Sequence, residues 1–209
     1  MPDRERQATN KAFRIFLLGL EEVLGVADLA AALRLAGLPQ YIDQYPPATP
    51  ESAGHKSVYI SQIAQAVHAI YGARGSKAIL QRVGRTQAQL GIVENQKLVN
   101  VTRAAIKLAP PSQQIKLVLE TAARAMREQV GDEIFVAKDW AGWYYEARTC
   151  CYCAGWQSDA AVCHAGVGLL NGLLGTLLGD ATITVDEITC RARGESACRY
   201  RVRARTGTE

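Results

Sequence analysis

The chain has 209 residues, 48% of them hydrophobic and 21% charged, with a formal net charge of +4. That balance fits one large or two small globular domains and excludes a disordered or polycationic chain. The N-terminus is charged and Arg14 interrupts the apolar stretch from Phe13 to Leu20, so no secretory signal is visible. The longest apolar run, Ala165 to Leu178, contains Asn171 and four glycines and falls short of the roughly 20 residues that span a bilayer. The expectation is a cytoplasmic protein without a membrane span.

Residues 1–10 are polar and are expected to fray. Phe13, Phe16, Leu17, Leu20 and Leu24 recur at helical spacing, which predicts a helix from Ala12 to Leu24 closed by Gly25. Asp28 opens a short second helix that stops at Gly37-Leu38-Pro39. Pro46, Pro47 and Pro50 mark 40–57 as a loop. Helices follow at Ile60–Tyr71, closed by Gly72, then at Ser76–Leu90, Gln96–Leu108 and Ser112–Val130. Pro110-Pro111 separates the last two.

The pattern then changes. Glu133–Lys138 and Trp143–Thr149 read as strands joined by a turn at 139–142. Ala160–Leu178 reads as a helix, and Ala181–Thr189 and Ala197–Ala204 as strands turning at Arg193-Gly194-Glu195. Two hairpins around one helix give an α+β fold: N-terminal helices packed on a four-stranded antiparallel sheet with a β-β-α-β-β C-terminal half. Residues 1–131 form the helical part and 132–205 the sheet part, read as one integrated domain.

All six cysteines fall in the last third, at Cys150, Cys151, Cys153, Cys163, Cys190 and Cys198. Thiolates gathered beside a carboxylate suit tetrahedral zinc, and in a reducing compartment ligation is favoured over disulfides. Two ligand sets present themselves. One is Cys163, Glu187, Cys190 and Cys198, a closed structural site. The other is Cys150, Cys153, Cys190 and Cys198, built on the C-x2-C. Buried thiols without metal remain an alternative. An iron–sulfur cluster on Cys150, Cys151, Cys153 and Cys163 fits the ligand type but no familiar spacing.

Cys150-x2-Cys153, Cys163-His164-x-Gly166, Val185-x-Glu187-x2-Cys190 and Gly194-Glu195-x2-Cys198-x-Tyr200 together resemble the V4R (4-vinyl reductase) domain. Its relatives include proteins named for bacteriochlorophyll 4-vinyl reduction, hydrocarbon-binding proteins, phenol-responsive sensor domains and the Bet3-type fold of TRAPP tethering subunits. The resemblance implies zinc on Cys163, Glu187, Cys190 and Cys198, and so favours the first set. It also implies an apolar or tetrapyrrole ligand and a homodimer paired through helices. Where family members often carry proline after the first cysteine of the C-x2-C, this chain has Cys151. The roles of Cys150, Cys151 and Cys153, redox or packing, stay open.

Gly166, Gly168, Gly172, Gly175 and Gly179 do not match a dinucleotide fingerprint. They read as permitting close packing, or as leaving room for a ligand. Trp143, Tyr145 and Trp156, with His68 and Tyr71, are candidates for a pocket that takes a small hydrophobic molecule; ordinary core packing is the competing reading. His164, directly after a candidate zinc cysteine, is a candidate either to support that ligand by hydrogen bonding or to serve as a tetrapyrrole axial ligand. The arginines from Arg191 to Arg205 read as a solvated strand face, with no nucleic-acid partner expected. Three functions follow: a binding module stabilised by structural zinc, a vinyl reductase dependent on a partner for its electrons, or an interaction scaffold by fold analogy.

Overall fold

The computed structural model describes residues 6–51, 54–179 and 183–204. Ala181, at the start of the third expected strand, and Arg205 lie outside them. The elements are α1 (Asn10–Leu24), α2 (Val26–Leu35), α3 (Val58–Glu94), α4 (Gln96–Leu108), α5 (Pro111–Val130), β1 (Ile134–Asp139), β2 (Gly142–Ala147), α6 (His164–Leu178), β3 (Ile183–Thr189) and β4 (Cys198–Ala204). The strands form one antiparallel sheet in the order β1-β2-β4-β3, so the α+β architecture expected from the two hairpins is present.

Residues 6–10 do not fray. Arg6 forms a buried ion pair with Asp132, and Ala8 N–H donates to His55 O at 2.7 Å. These ties order the chain ahead of α1, which begins two residues earlier than expected because the Thr9 hydroxyl accepts from Ala12 N–H. Phe13, Phe16, Leu17 and Leu20 then bury one face of α1.

Gly72 interrupts α3 with φ 68° and ψ 178°, a left-handed backbone that glycine adopts without a Cβ penalty. The two helices expected on either side therefore run on as one kinked rod. The second half of α3 lies against α6 with almost nothing between them. A Cβ on Gly84 would sit 2.0 Å from Ala165 O, and one on Gly168 2.1 Å from Gln81 O. A Cβ on Gly166 would meet the Tyr200 hydroxyl at 2.6 Å. The glycines of α6 at 166, 168 and 172 are thus sites of close approach, whereas Gly175 faces open space.

On β4 the side chains alternate. Cys198, Tyr200 and Val202 are buried while Arg199 and Arg203 are exposed. Arg199 pairs with Glu146 at 2.6 Å and Arg203 with Asp186 at 2.5 Å, and Arg199 and Arg201 lie over the Tyr144 ring. The basic strand face is engaged with its own neighbours. No described helix is long and apolar enough to cross a membrane.

Candidate metal centre and ligand cavity

The segments between elements are where sequence and structure part. β2 ends at Ala147 and α6 begins only at His164. The stretch between them, partly expected to be regular, instead carries four cysteines inward. A turn bonded from Cys153 N–H to Cys150 O follows β2, and Cys163 caps α6 with non-helical φ/ψ. Cys190 follows the end of β3 and leads into a short 3-10 turn at Arg191–Arg193, and Cys198 opens β4. The cysteines are buried and none is in a disulfide.

Their sulfurs are close. Cys163 Sγ lies 3.7 Å from Cys150, 3.7 Å from Cys190 and 3.6 Å from Cys198, and Cys153 Sγ lies 3.4 Å from Cys198. With zinc–sulfur bonds of about 2.3 Å, the edge of a tetrahedron is about 3.8 Å, so these separations match ligands on one ion. Two sets have all ligand atoms within 4.8 Å of one another: Cys163, Glu187, Cys190 and Cys198, and Cys150, Cys153, Cys163 and Cys198. The first is the set implied by the resemblance. The second differs from the C-x2-C alternative by taking Cys163 instead of Cys190, because the start of α6 lies between the C-x2-C turn and the hairpin.

Electrostatics fit a cation. Glu187 accepts from Cys163 N–H at 3.0 Å through one oxygen, while its other oxygen, Oε1, is buried without a partner. Burial, then the Cys190 sulfur, push its carboxyl up to about 9. Sulfur hydrogen bonds, from Cys153 first, draw Cys150 and Cys190 toward the thiolate. Burial holds the Cys163 thiol up. A buried group of thiols cannot all ionise without a counter-charge, and a divalent ion supplies one while giving Glu187 Oε1 a partner. Backbone N–H groups add to the balance, with Arg191 donating to Cys198 Sγ at 3.3 Å.

Asp132 anchors the same turn to the chain start. It accepts from Cys151 N–H at 3.1 Å while paired with Arg6. Burial and the Cys150 sulfur push its carboxyl up to about 7 against the pull of Arg6.

Beside this centre lies a cavity of about 110 Å³ among α1, α3, α4, α5 and α6. Its wall is built from ordinary aliphatics such as Ile15, Ala88, Val118, Leu169 and Leu173. Cys151 and Tyr152 also line it, so the turn that aims Cys150 and Cys153 at the sulfurs turns its two middle residues to the cavity. Thr102 and Thr121 donate to carbonyls of their own helices. Gln87, 9% exposed, lines the cavity with its Oε1 unpartnered.

The five expected pocket residues do not come together there. Trp143 lies under Lys138. Tyr145 is buried against Tyr200, ring centroids 5.9 Å apart. Trp156 meets His68 edge-on in a surface notch, and His68 Nδ1 lies 3.1 Å from Ser76 Oγ. Tyr71 donates to Asp28. His164 is half-buried, held down to about 4 by burial and then by Lys77, and is not among the described residues of the cavity wall. Gln87, Cys151 and Tyr152 were missed. Adjacency to the C-x2-C was the one signal for the last two.

Residues 143–204 match the family model described as the V4R domain. The match spans β2, α6, β3, β4 and the cysteine centre, leaves out β1, and bears out the resemblance read from the motifs. No curated protein sequence matches the chain. Among solved structures, the chain is similar to an H-NOX protein from S. oneidensis in the Fe(II)NO ligation state, at 12% identity and a TM-score of 0.60, covering 92% of this chain and 99% of that one. It is also similar to a doubly substituted Tt H-NOX, at 12% identity and a TM-score of 0.58, covering 95% of each. A structure titled for heme distortion in the H-NOX family aligns at 14% identity with a TM-score of 0.53, covering 96% of this chain and 97% of that one. At these identities the likeness is one of fold, and it extends over the N-terminal helices that the V4R match leaves out.

Proposed function

We propose that the protein is a binding module for a small apolar, planar ligand carrying one hydrogen-bond donor, stabilised by a structural zinc ion. The observation that carries this is the cavity itself: a largely aliphatic space with one buried, unpartnered acceptor, Gln87 Oε1. Native proteins seldom leave such an oxygen unsatisfied. A ligand N–H or O–H would satisfy it and set the ligand's orientation.

Size narrows the ligand class. An apolar cavity on the order of 150 Å³ holds benzene, and this one is about 110 Å³. A single ring is near that size, and a second fused ring requires the α4 side of the cavity to give way. The H-NOX neighbours include structures titled for heme, but a tetrapyrrole would require α4 and α5 to separate, and the wall offers Met126, Cys151 and Tyr152 rather than an imidazole among its described residues. Cys163, Glu187, Cys190 and Cys198 would hold the zinc ion, which supplies a fixed cross-link between the start of α6 and the β3–β4 hairpin.

The test is a calorimetric titration with indole and with indene, which differ in the ring N–H. Indole should bind about tenfold more tightly, the worth of one buried hydrogen bond. Gln87→Leu should remove the difference while leaving indene binding in place. Equal affinities in the unaltered protein, or binding of neither, would overturn the reading.

A further inference from the structure

We propose that the metal centre is dinuclear: two zinc ions share Cys163 and Cys198 as bridging thiolates, with Cys150 and Cys153 completing one shell and Glu187 and Cys190 the other. This extends the structural-zinc reading and rests on it for the Glu187 side.

The two four-ligand sets have one edge in common, Cys163–Cys198, with sulfurs 3.6 Å apart. Two tetrahedra joined along such an edge are the arrangement in which bridging thiolates hold two divalent ions. Cys150 and Cys153 belong to one set, Glu187 and Cys190 to the other, so one ion leaves two ligands unused whichever set it takes. If it takes the Glu187 set, Cys150 and Cys153 remain as thiols 3.7 Å and 3.4 Å from ligating sulfurs. Both are at most 3% exposed. Such contacts are of ligand-edge length.

The charge balances. Five thiolates and one carboxylate around two divalent ions carry the same net charge as three thiolates and one carboxylate around one ion beside two neutral thiols. The second ion displaces the protons of Cys150 and Cys153 to solvent: two S–H bonds break, and four bonds to sulfur form, two to these new thiolates and two to second lone pairs of Cys163 and Cys198. No further buried charge is created. The iron–sulfur set of Cys150, Cys151, Cys153 and Cys163 is not gathered, because Cys151 lines the cavity instead. The second ion would also fix the C-x2-C turn, whose middle residues Cys151 and Tyr152 wall the cavity, and so tie ligand binding to metal content.

The experiment is a Co2+ titration of the full-length apoprotein under reducing conditions, followed by thiolate-to-cobalt absorption and by electron paramagnetic resonance, with zinc counted by elemental mass spectrometry on the natively loaded protein. The proposal expects two equivalents of metal, with the resonance of the first equivalent lost as the second enters, because bridging thiolates couple the two spins. A Cys150→Ser, Cys153→Ser double variant should bind one equivalent and keep the full resonance. One equivalent in the unaltered protein would overturn the dinuclear centre and leave the single structural site standing. Two equivalents that both stay visible would overturn the shared bridges. No metal bound would overturn both readings. The titration of the unaltered protein decides the matter even if the double variant fails to fold.

Discussion

The second half of α3 has two contrasting neighbours. Toward α6 the backbones touch, at Gly84 and Gly168, with no room for a methyl group. Toward α4 and α5 the same helix faces a cavity, past Gln87, Ala88 and Gly91. α4 buries only Val99, Thr102 and Ile106, leaving Val101 69% and Leu108 89% exposed. The rigid seam runs to the cysteine centre, and the open side is closed by the least embedded helix. A binding protein needs both: a seam that holds the walls in place and a side able to open.

The largest expected effect falls on the rigid end. Structural zinc–thiolate sites contribute on the order of 10 kcal/mol, as much as the whole stability of an ordinary domain. Stripping the metal with a chelator, or Cys198→Ser, should therefore abolish cooperative thermal unfolding. A melting curve that survives either treatment would show that packing alone holds the seam.

The next contrast uses two glycines of one helix. Gly84→Ala should cost about 3 kcal/mol or more, since its Cβ would overlap Ala165 O. Gly91→Ala meets nothing within 4 Å and should raise stability by about 0.5 kcal/mol through the lower entropy of the unfolded chain. Denaturant midpoints for the pair measure the asymmetry directly, and equal effects would erase it.

On the open side, Ala125→Phe should fill cavity space. Indole binding should fall at least tenfold while stability changes by less than about 1 kcal/mol, as expected where space is free. A loss comparable to that of Gly84→Ala would mean that this side is as tightly packed as the seam.

The smallest effect lies at the start of α1. His55 stacks on Phe13, ring centroids 5.4 Å apart, and its Nδ1 lies 2.7 Å from the Tyr41 hydroxyl. Burial lowers its pKa from the usual 6.5, so the folded chain resists a proton that the unfolded chain accepts. Its stabilising contribution is full above pH 6.5 and is lost as the pH falls through that value toward the lowered folded one. His55→Gln should flatten the stability–pH profile below about pH 6.5, by a modest amount because the ring is only partly covered.

Much of this was legible in the sequence, for local reasons. Helical spacing of Phe13, Phe16, Leu17 and Leu20 marks α1, Gly72 marks a break, read as a helix stop and found as a kink within α3, and the two strand pairs around a Gly- and Leu-rich helix specify the antiparallel sheet. Glu187-x2-Cys190-x7-Cys198 puts three candidate ligands, one carboxylate and two thiolates, at one hairpin, where the structure gathers them. What stayed hidden depends on contacts between distant segments. Arg6 looked like part of a frayed start, because its partner Asp132 lies 126 positions away. The cavity is walled by Ile15, Ala88, Val118 and Leu173, from four helices and of types that fill any core, so no local pattern announces it. Aromatic side chains drew attention to Trp143, Tyr145 and Trp156, yet these cover the sheet and a surface notch.

The central claim is that the space behind α4 receives a small ligand. The most direct test is a 1H–15N chemical-shift map of the zinc-loaded protein titrated with indole. The account predicts saturable shifts confined to Ala12–Ile15 of α1, to Ile60 and Gln87–Glu94 of α3, to Asn95, to α4 and α5, to Leu169–Leu177 of α6 and to Cys151–Tyr152. Shifts gathered instead around His68 and Trp156, or none at saturating indole, would contradict it.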